Sequence, residues 1–377
     1  MARRCYIGAG GKAKEVQYIY IGIDDVARPV RKCYVGVNGV ARPCWTGLSV
    51  PEYYGTVTGF RARYNGTATP AGNVLVIAGG GDADHASGQM LSAEGINKNL
   101  ELVAVPDLPK APAGEALAVS TEDHAIFGLG STESSQAVGV YDRNLVVSLL
   151  EGVGFNGQAG GVSFNGYGIF AGGGSVPSVN IVRAIDNNLV VNELAELAAK
   201  RYGLKGVQNG AFALFGGGMR YATNSTRVKT VEGYDRNLVK VAVEDLSQTK
   251  RGHAAARAGK YAMFGGGYGD STSTTYATTD AYDRNLVKAE VENFTTKRYG
   301  AKGVTIGECA LFGGGSAAME CYDNKLVKCD VGSLSTTATT GTVRRGIAAG
   351  VIGDYALFIG GGTGYSTAQH ACDVFVS

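Results

Sequence analysis

Seven glycine clusters step down this chain at an almost constant spacing. They are Gly79-Gly80-Gly81, Gly128-Leu129-Gly130, Gly172-Gly173-Gly174, Gly216-Gly217-Gly218, Gly265-Gly266-Gly267, Gly313-Gly314-Gly315 and Gly360-Gly361-Gly362. Their first glycines lie 49, 44, 44, 49, 48 and 47 residues apart. A period of this length, with short apolar runs and few helix-forming stretches, is that of a four-stranded propeller blade. Seven copies predict an all-β chain folded as a seven-bladed β-propeller of four-stranded blades.

The fifth copy shows the unit. Arg251-Gly-His-Ala-Ala-Ala-Arg257 reads as a small-residue strand for the crowded wall of a central channel. A turn at Gly259-Lys260 leads to the apolar strand Tyr261-Ala-Met-Phe264, which ends in glycines. Glycines there let backbones approach closely and take φ angles closed to other residues. A polar loop, the strand Thr279 to Asp283 and a turn at Arg284-Asn285 follow. The outer strand is then Leu286 to Val291, where Val287, Ala289 and Val291 alternate with Lys288, Glu290 and Glu292.

The turn recurs as Tyr141-Asp-Arg-Asn144, Tyr234-Asp-Arg-Asn237, Tyr282-Asp-Arg-Asn285 and Tyr322-Asp-Asn-Lys325, with looser copies at Ile185-Asp-Asn-Asn188 and Ile96-Asn-Lys-Asn99. Glycine cluster, variable loop, Tyr-Asp turn and later Arg together resemble the Kelch repeat over residues 50–377. Kelch blades usually carry a Trp after the Tyr, whereas this chain has Leu or Val and a single Trp. The resemblance implies the fold; propellers host many activities, so it implies little about function.

The seventh copy stops after Ala371-Cys-Asp-Val-Phe-Val-Ser377 without an outer strand. Pro43-Cys-Trp-Thr-Gly-Leu48 is expected to supply it, closing the ring edge. On this reading Tyr53-Tyr-Gly55 corresponds to Arg298-Tyr-Gly300 at a blade start. The propeller then spans residues 43–377, and residues 1–42 form a separate arm.

That arm has its own repeat. Cys5-Tyr-Ile-Gly8, Ile19-Tyr-Ile-Gly22 and Cys33-Tyr-Val-Gly36 stand 14 residues apart, followed by turn residues Gly10-Gly11, Asp24-Asp25 and Asn38-Gly39. Asn-Gly between alternating strands signals a hairpin, so three tandem hairpins are expected. Such short hairpins bury too little to stand alone. Tyr34-Val-Gly-Val-Asn-Gly-Val-Ala-Arg42 resembles hairpins at the start of tail proteins of phages and prophages of Gram-positive bacteria. That resemblance implies docking to other tail or baseplate proteins. Tyr6, Tyr20 and Tyr34 are the expected assembly residues, with homo-oligomerisation through the arm a further expectation, and Cys5 and Cys33 are expected to be apolar fillers.

Composition narrows the choices. The net charge of +2 argues against binding nucleic acid by phosphate neutralisation. Seven cysteines without paired spacing fit assembly in a reducing cytoplasm better than a secreted disulfide scaffold. The start lacks a signal-peptide core, and no run of about 18 apolar residues is present, so no membrane insertion is expected. Together with the arm, this implies a virion tail protein assembled in the host cytoplasm.

Two faces follow from loop lengths. Connections from second to third strands are long at Asp82 to Glu94, Met219 to Thr230, Tyr268 to Thr279 and Gly364 to Gln369, and rich in Tyr, Ser, Thr, Asn and Gly. Arg220, Tyr221, Tyr268, Tyr276 and Tyr365 make this face a candidate paratope for host-surface polysaccharide or protein. The alternative is a set of tolerant solvated loops. Arg201, Arg251, Arg298 and Arg345 are read as equivalent, each preceded by Lys200, Lys250, Lys297 or Arg344. They form either an arc of cations for phosphate or carboxylate groups of a cell-wall polymer, or structural arginines paired with an acid or carbonyl of the next blade.

Catalytic signals are weak. His85, His124, His253 and His370 show no ligand spacing, so no metal or other cofactor is expected. Gly152-Val-Gly-Phe-Asn-Gly157 matches a dinucleotide fingerprint by letter, with no helix after it. Asp142, Asp235, Asp283, Asp323 and Asp373 recur once per blade and are read as turn formers. The expected function is therefore non-enzymatic tail attachment, with a carbohydrate-active enzyme or an intracellular Kelch-type scaffold as alternatives.

Overall fold

Seven four-stranded antiparallel sheets follow one another along the chain, as the glycine period predicts. The computed structural model describes residues 50–85, 90–112, 117–129, 137–154, 157–174, 178–220, 226–269, 274–335 and 343–377, and the backbone of six strands between residues 5 and 46. Blade 5 runs through Ala254–Ala258, Tyr261–Gly265, Thr279–Tyr282 and Lys288–Ala289. Its outer strand is shorter than the alternation of residues 286–291 suggests. First strands of neighbouring blades lie side by side around the ring, and Ala348–Ile352 of blade 7 returns to Thr67–Ala71 of blade 1. Among the described residues, no helix is long and apolar enough to cross a membrane.

Burial follows strand position. Along Ala254–Ala258 every second residue is buried, the pattern of a strand with one face toward a channel. Second strands such as Ala213–Gly216 are buried throughout because both faces meet neighbouring blades, which explains their unbroken apolar runs. In blades 2, 4, 5 and 6 the third strand ends in a buried tyrosine. Tyr141 and Tyr322 donate their hydroxyls to the carbonyls of Pro106 and Glu292, at the end of the preceding blade. Phe127 and Tyr141 pack edge to face at 5.7 Å, as do Phe215 and Tyr234 at 6.1 Å.

The Tyr-Asp turns hold for a local reason. Asp283 Oδ1 accepts from the amides of Asn285 and Val287, and Asp142, Asp186, Asp235 and Asp323 repeat the arrangement. The leucine after each turn takes a left-handed φ, 63° at Leu286, and packs on the core between blades. Asp373 departs from the expectation: it lies inside the strand Cys372–Val376 and forms no turn.

The glycine clusters mark a close approach. Gly217 has φ +66°, and a Cβ there would sit 2.6 Å from the carbonyl oxygen of Lys250, in the connection to the next blade. The adjacent Gly218 amide donates to that same carbonyl. A side chain would break this latch, so glycine holds this position in six blades, with Leu129 there in blade 2.

Ring closure corrects the expected strand. Cys372–Val376 pairs with Glu52–Val57, while Val40–Thr46 pairs with Lys32–Val37 inside the arm. The register shifts between Val374 and Phe375, and Gly55, at φ +143°, absorbs the bulge. Tyr53 then stacks edge to face on Phe375 at 5.4 Å. Residues 43–48 are thus not the closing strand, and Tyr53-Tyr-Gly55 is not a blade start; Arg63-Tyr64 is.

The chain divides into two units, Glu52–Val376 and Met1–Pro51 with Ser377. In the second, Cys5–Ala9 pairs with Lys12–Val16, Ile19–Ile23 with Val26–Val30, and Lys32–Val37 with Val40–Thr46. These are the three tandem hairpins that the 14-residue repeat predicts. The side chains of Tyr6, Tyr20 and Tyr34 lie outside the described residues.

Candidate functional site at the channel mouth

A buried ion pair recurs four residues before the first strand of a blade. Arg63 meets Glu94 at 2.5 Å, Arg201 meets Glu232 at 2.8 Å, and Lys250 meets Asp280 at 3.1 Å. Arg298 meets Glu320 at 3.0 Å, and Arg344 meets Asp373 at 2.9 Å. All five cations are almost closed to solvent. Each acid stands on the third strand of the same blade, opposite Phe215, Phe264, Phe312, Phe358 or, in blade 1, Ile77. Blades 2 and 3 have Gly139 and Arg183 opposite their phenylalanines, and the sequence has Ala113 and Asn156 at the cation positions. Cation and acid are kept or lost together.

Burial lowers the pKa of Arg201 and Arg298, and their glutamates oppose that shift. Burial pushes Asp280 up, but Lys250 and hydrogen bonds from Ser247 outweigh it and hold the carboxyl below its ordinary range.

These pairs correct the equivalence of the four arginines. Arg201 and Arg298 correspond to Lys250 and Arg344. Arg251 and Arg345 stand one residue later, where the other three ion-paired blades have Tyr64, Tyr202 and Tyr299. The bridges Tyr202 to Met219, Arg251 to Tyr268 and Arg345 to Gly362 fix this register. Arg201 and Arg298 are therefore structural, the second of the two roles open to them from the sequence, though the acid belongs to the blade that they open.

The residues after four of the buried cations, Tyr64, Arg251, Tyr299 and Arg345, come together at the end of the ring. A cavity of about 280 Å³ lies there, lined by Tyr64, Tyr268, Tyr299 and Tyr365 and by Lys205, Arg251, Lys302 and Arg345. Among the described residues, no Asp or Glu lines it. Arg345 stacks over Tyr299 at 4.4 Å, and Arg251 over Tyr202 at 5.0 Å and Tyr268 at 5.7 Å. Tyr268 meets Tyr299 edge to face at 5.2 Å, and Tyr64 meets Tyr365 at 5.1 Å. Arg251 also donates to Gln158 Oε1 at 3.4 Å. Stacking holds the guanidiniums over rings while leaving their edge donors for a ligand.

Of the residues singled out in the sequence, Tyr268, Tyr365, Arg251 and Arg345 meet at this mouth. Arg220 is exposed, near the Arg201–Glu232 pair and outside the mouth lining. Tyr276 is part-buried, its amide donating to Gly267, and it too is outside the lining. Tyr221 lies outside the described residues. Tyr64, Tyr202, Tyr299, Lys205 and Lys302 were not anticipated; the signal for the tyrosines was Tyr directly after a blade-start Arg in three copies.

The histidines have separate surroundings. His85 Nδ1 is 2.8 Å from Asp82, His370 Nδ1 is 2.9 Å from the Phe60 carbonyl, His124 lies beside Thr121, and His253 is fully buried. Among the described residues, no group of three His, Cys, Asp or Glu is placed to hold a metal ion.

The fold and this mouth define a seven-bladed β-propeller with a cationic, tyrosine-lined axial opening. No family model matches the sequence, and no curated protein does. Among solved structures the chain is similar to YjhT, with a TM-score of 0.52 and 11% identity, over 84% of this chain and 96% of that one. At that identity the likeness shows the propeller fold alone.

Proposed function

We propose that this protein is a non-enzymatic attachment component of a phage tail or tail-like particle, and that its channel mouth binds an anionic polymer of the host surface. The observation that carries the binding reading is the mouth itself: among the described residues four cations and four tyrosines line it, without a carboxylate. Guanidiniums offer paired donors to carboxylate or phosphate, and tyrosine rings offer stacking area for sugar faces. The tail setting is supported by the arm's resemblance to phage hairpins. The arm docks to other tail or baseplate proteins, and many copies per particle turn weak contacts into avidity.

The test is binding of the full chain to immobilised anionic and neutral wall polysaccharides, with product analysis alongside. Selective binding to the anionic polymers, weakened by salt and abolished in an Arg251→Gln/Arg345→Gln protein, is expected, with no product formed. Equal binding to neutral polymers, or unchanged binding by the double variant, sinks the assignment of the mouth. Turnover of any of them sinks the non-enzymatic reading.

A further inference from the structure

Three thiols share one patch of blade 6. Cys321 lies in the third strand, Glu320–Tyr322, and its direct cross-strand partner is Cys329 in the outer strand, Lys328–Cys329. On its other side Cys321 opposes Leu311, which puts Cys309 of the second strand diagonal to it. Cys309 and Cys321 are buried, and Cys329 is partly open to solvent.

We propose that Cys321 and Cys329 form a cross-strand disulfide when the protein meets a small-molecule disulfide, with Cys329 as the accessible nucleophile and Cys321 as the resolving thiol. Residues directly opposed in an antiparallel pair have Cα atoms about 4.5–5.5 Å apart, inside the range a disulfide spans. A diagonal pair is about 7–8 Å apart, at or beyond that range, so Cys309 is disfavoured as the partner. The proposal is independent of what the channel mouth binds.

The chemistry closes on these residues. The Cys329 thiolate attacks one sulfur of the small disulfide, forming a mixed disulfide and expelling one thiolate. Cys321 then loses its proton and attacks the Cys329 sulfur, forming the protein disulfide and expelling the second small thiolate. Two protein thiols are oxidised and one small disulfide is reduced to two thiols. Hydrogen bonds with Cys309 and Cys329 push the Cys321 thiol up, whereas the bond from Cys321 holds Cys329 below its ordinary value. The accessible sulfur is thus the one favoured as thiolate.

The experiment treats the folded full chain with oxidised glutathione and maps thiols by peptide mass. Wild type is expected to link Cys321 to Cys329, and Cys309→Ser to behave like it. Cys321→Ser should stop at glutathione on Cys329, and Cys329→Ser should leave Cys321 reduced. In oxidised wild type, amide exchange at Val327, Lys328 and Cys329 should slow. A stable glutathione adduct on wild-type Cys329, a Cys309–Cys321 link, or thiols that stay reduced throughout would overturn the proposal.

Discussion

Lys250 Nζ lies 3.1 Å from Asp280 Oδ2 with both side chains closed to solvent. A buried cation of this kind is held by its acid and by carbonyls, here Thr278 at 3.1 Å. Removing one partner strands a charge, and that costs about 3–5 kcal/mol. Asp280→Asn is therefore expected to lower the denaturation midpoint strongly. A Lys250→Met/Asp280→Leu protein should lose much less, because an apolar pair leaves no stranded charge. Equal losses in the two proteins, measured by urea unfolding, would show that the pair itself is not the source.

Arg201 and Arg251 should separate stability from binding. Arg201→Gln takes the buried guanidinium from Glu232, which keeps Lys240 at 2.7 Å, and is expected to cost about 2–3 kcal/mol. Arg251→Gln removes stacking at the mouth and should cost no more than about 1 kcal/mol. Thermal and chemical unfolding of the two single variants tests the register of the repeat directly.

That register shows where the sequence stopped being legible. Blade number, strand number, the Tyr-Asp turns and the arm hairpins could be read because each rests on local chemistry repeated in the chain. The arginines were misaligned because Lys250-Arg251 and Arg344-Arg345 put two cations where other blades have Arg-Tyr. Only the partner acid, 22 to 31 residues further along the chain, says which cation is buried. Glu94, Glu232, Asp280, Glu320 and Asp373 held that information, but two blades without it blurred the pattern. The closing strand was misplaced for a related reason: the arm's third hairpin claims residues 40–46 for itself, leaving Glu52–Val57 for the ring.

His253 gives the protein an acid limb. Burial, then Lys250 and Lys205, hold its imidazole well below the ordinary value, while Asp280 opposes them. The unfolded chain therefore binds the proton more readily. The stability that this represents is present above about pH 6.5 and is lost as pH falls below it, by up to about 1.4 kcal/mol per unit. His253→Leu, which copies the fully buried Leu204 of blade 4, should flatten that limb. A second loss below about pH 4 should remain, because Asp280 is held below its unfolded value. Urea midpoints from pH 7 to 3 on both proteins measure the difference.

Truncation locates the closure. A protein beginning at Glu52 keeps the strand that pairs with Cys372–Val376 and should melt close to the full chain. One beginning at Thr58 exposes that strand's edge and should melt markedly lower and associate at high concentration. If the two melt alike, Glu52–Val57 does not close the ring.

The same pairing sets an order of events during synthesis. Glu52–Val57 is the first strand of the ring to leave the ribosome, and its partner Cys372–Val376 is the last. Six blades can form on the nascent chain while the ring stays open. A neighbouring ribosome on the same message presents an identical Glu52–Val57 strand during that interval, a ready route to exchange between chains. The chain's own strand prevails because it is tethered to the blades it must join, at an effective concentration that a neighbour reaches only in a crowded polysome.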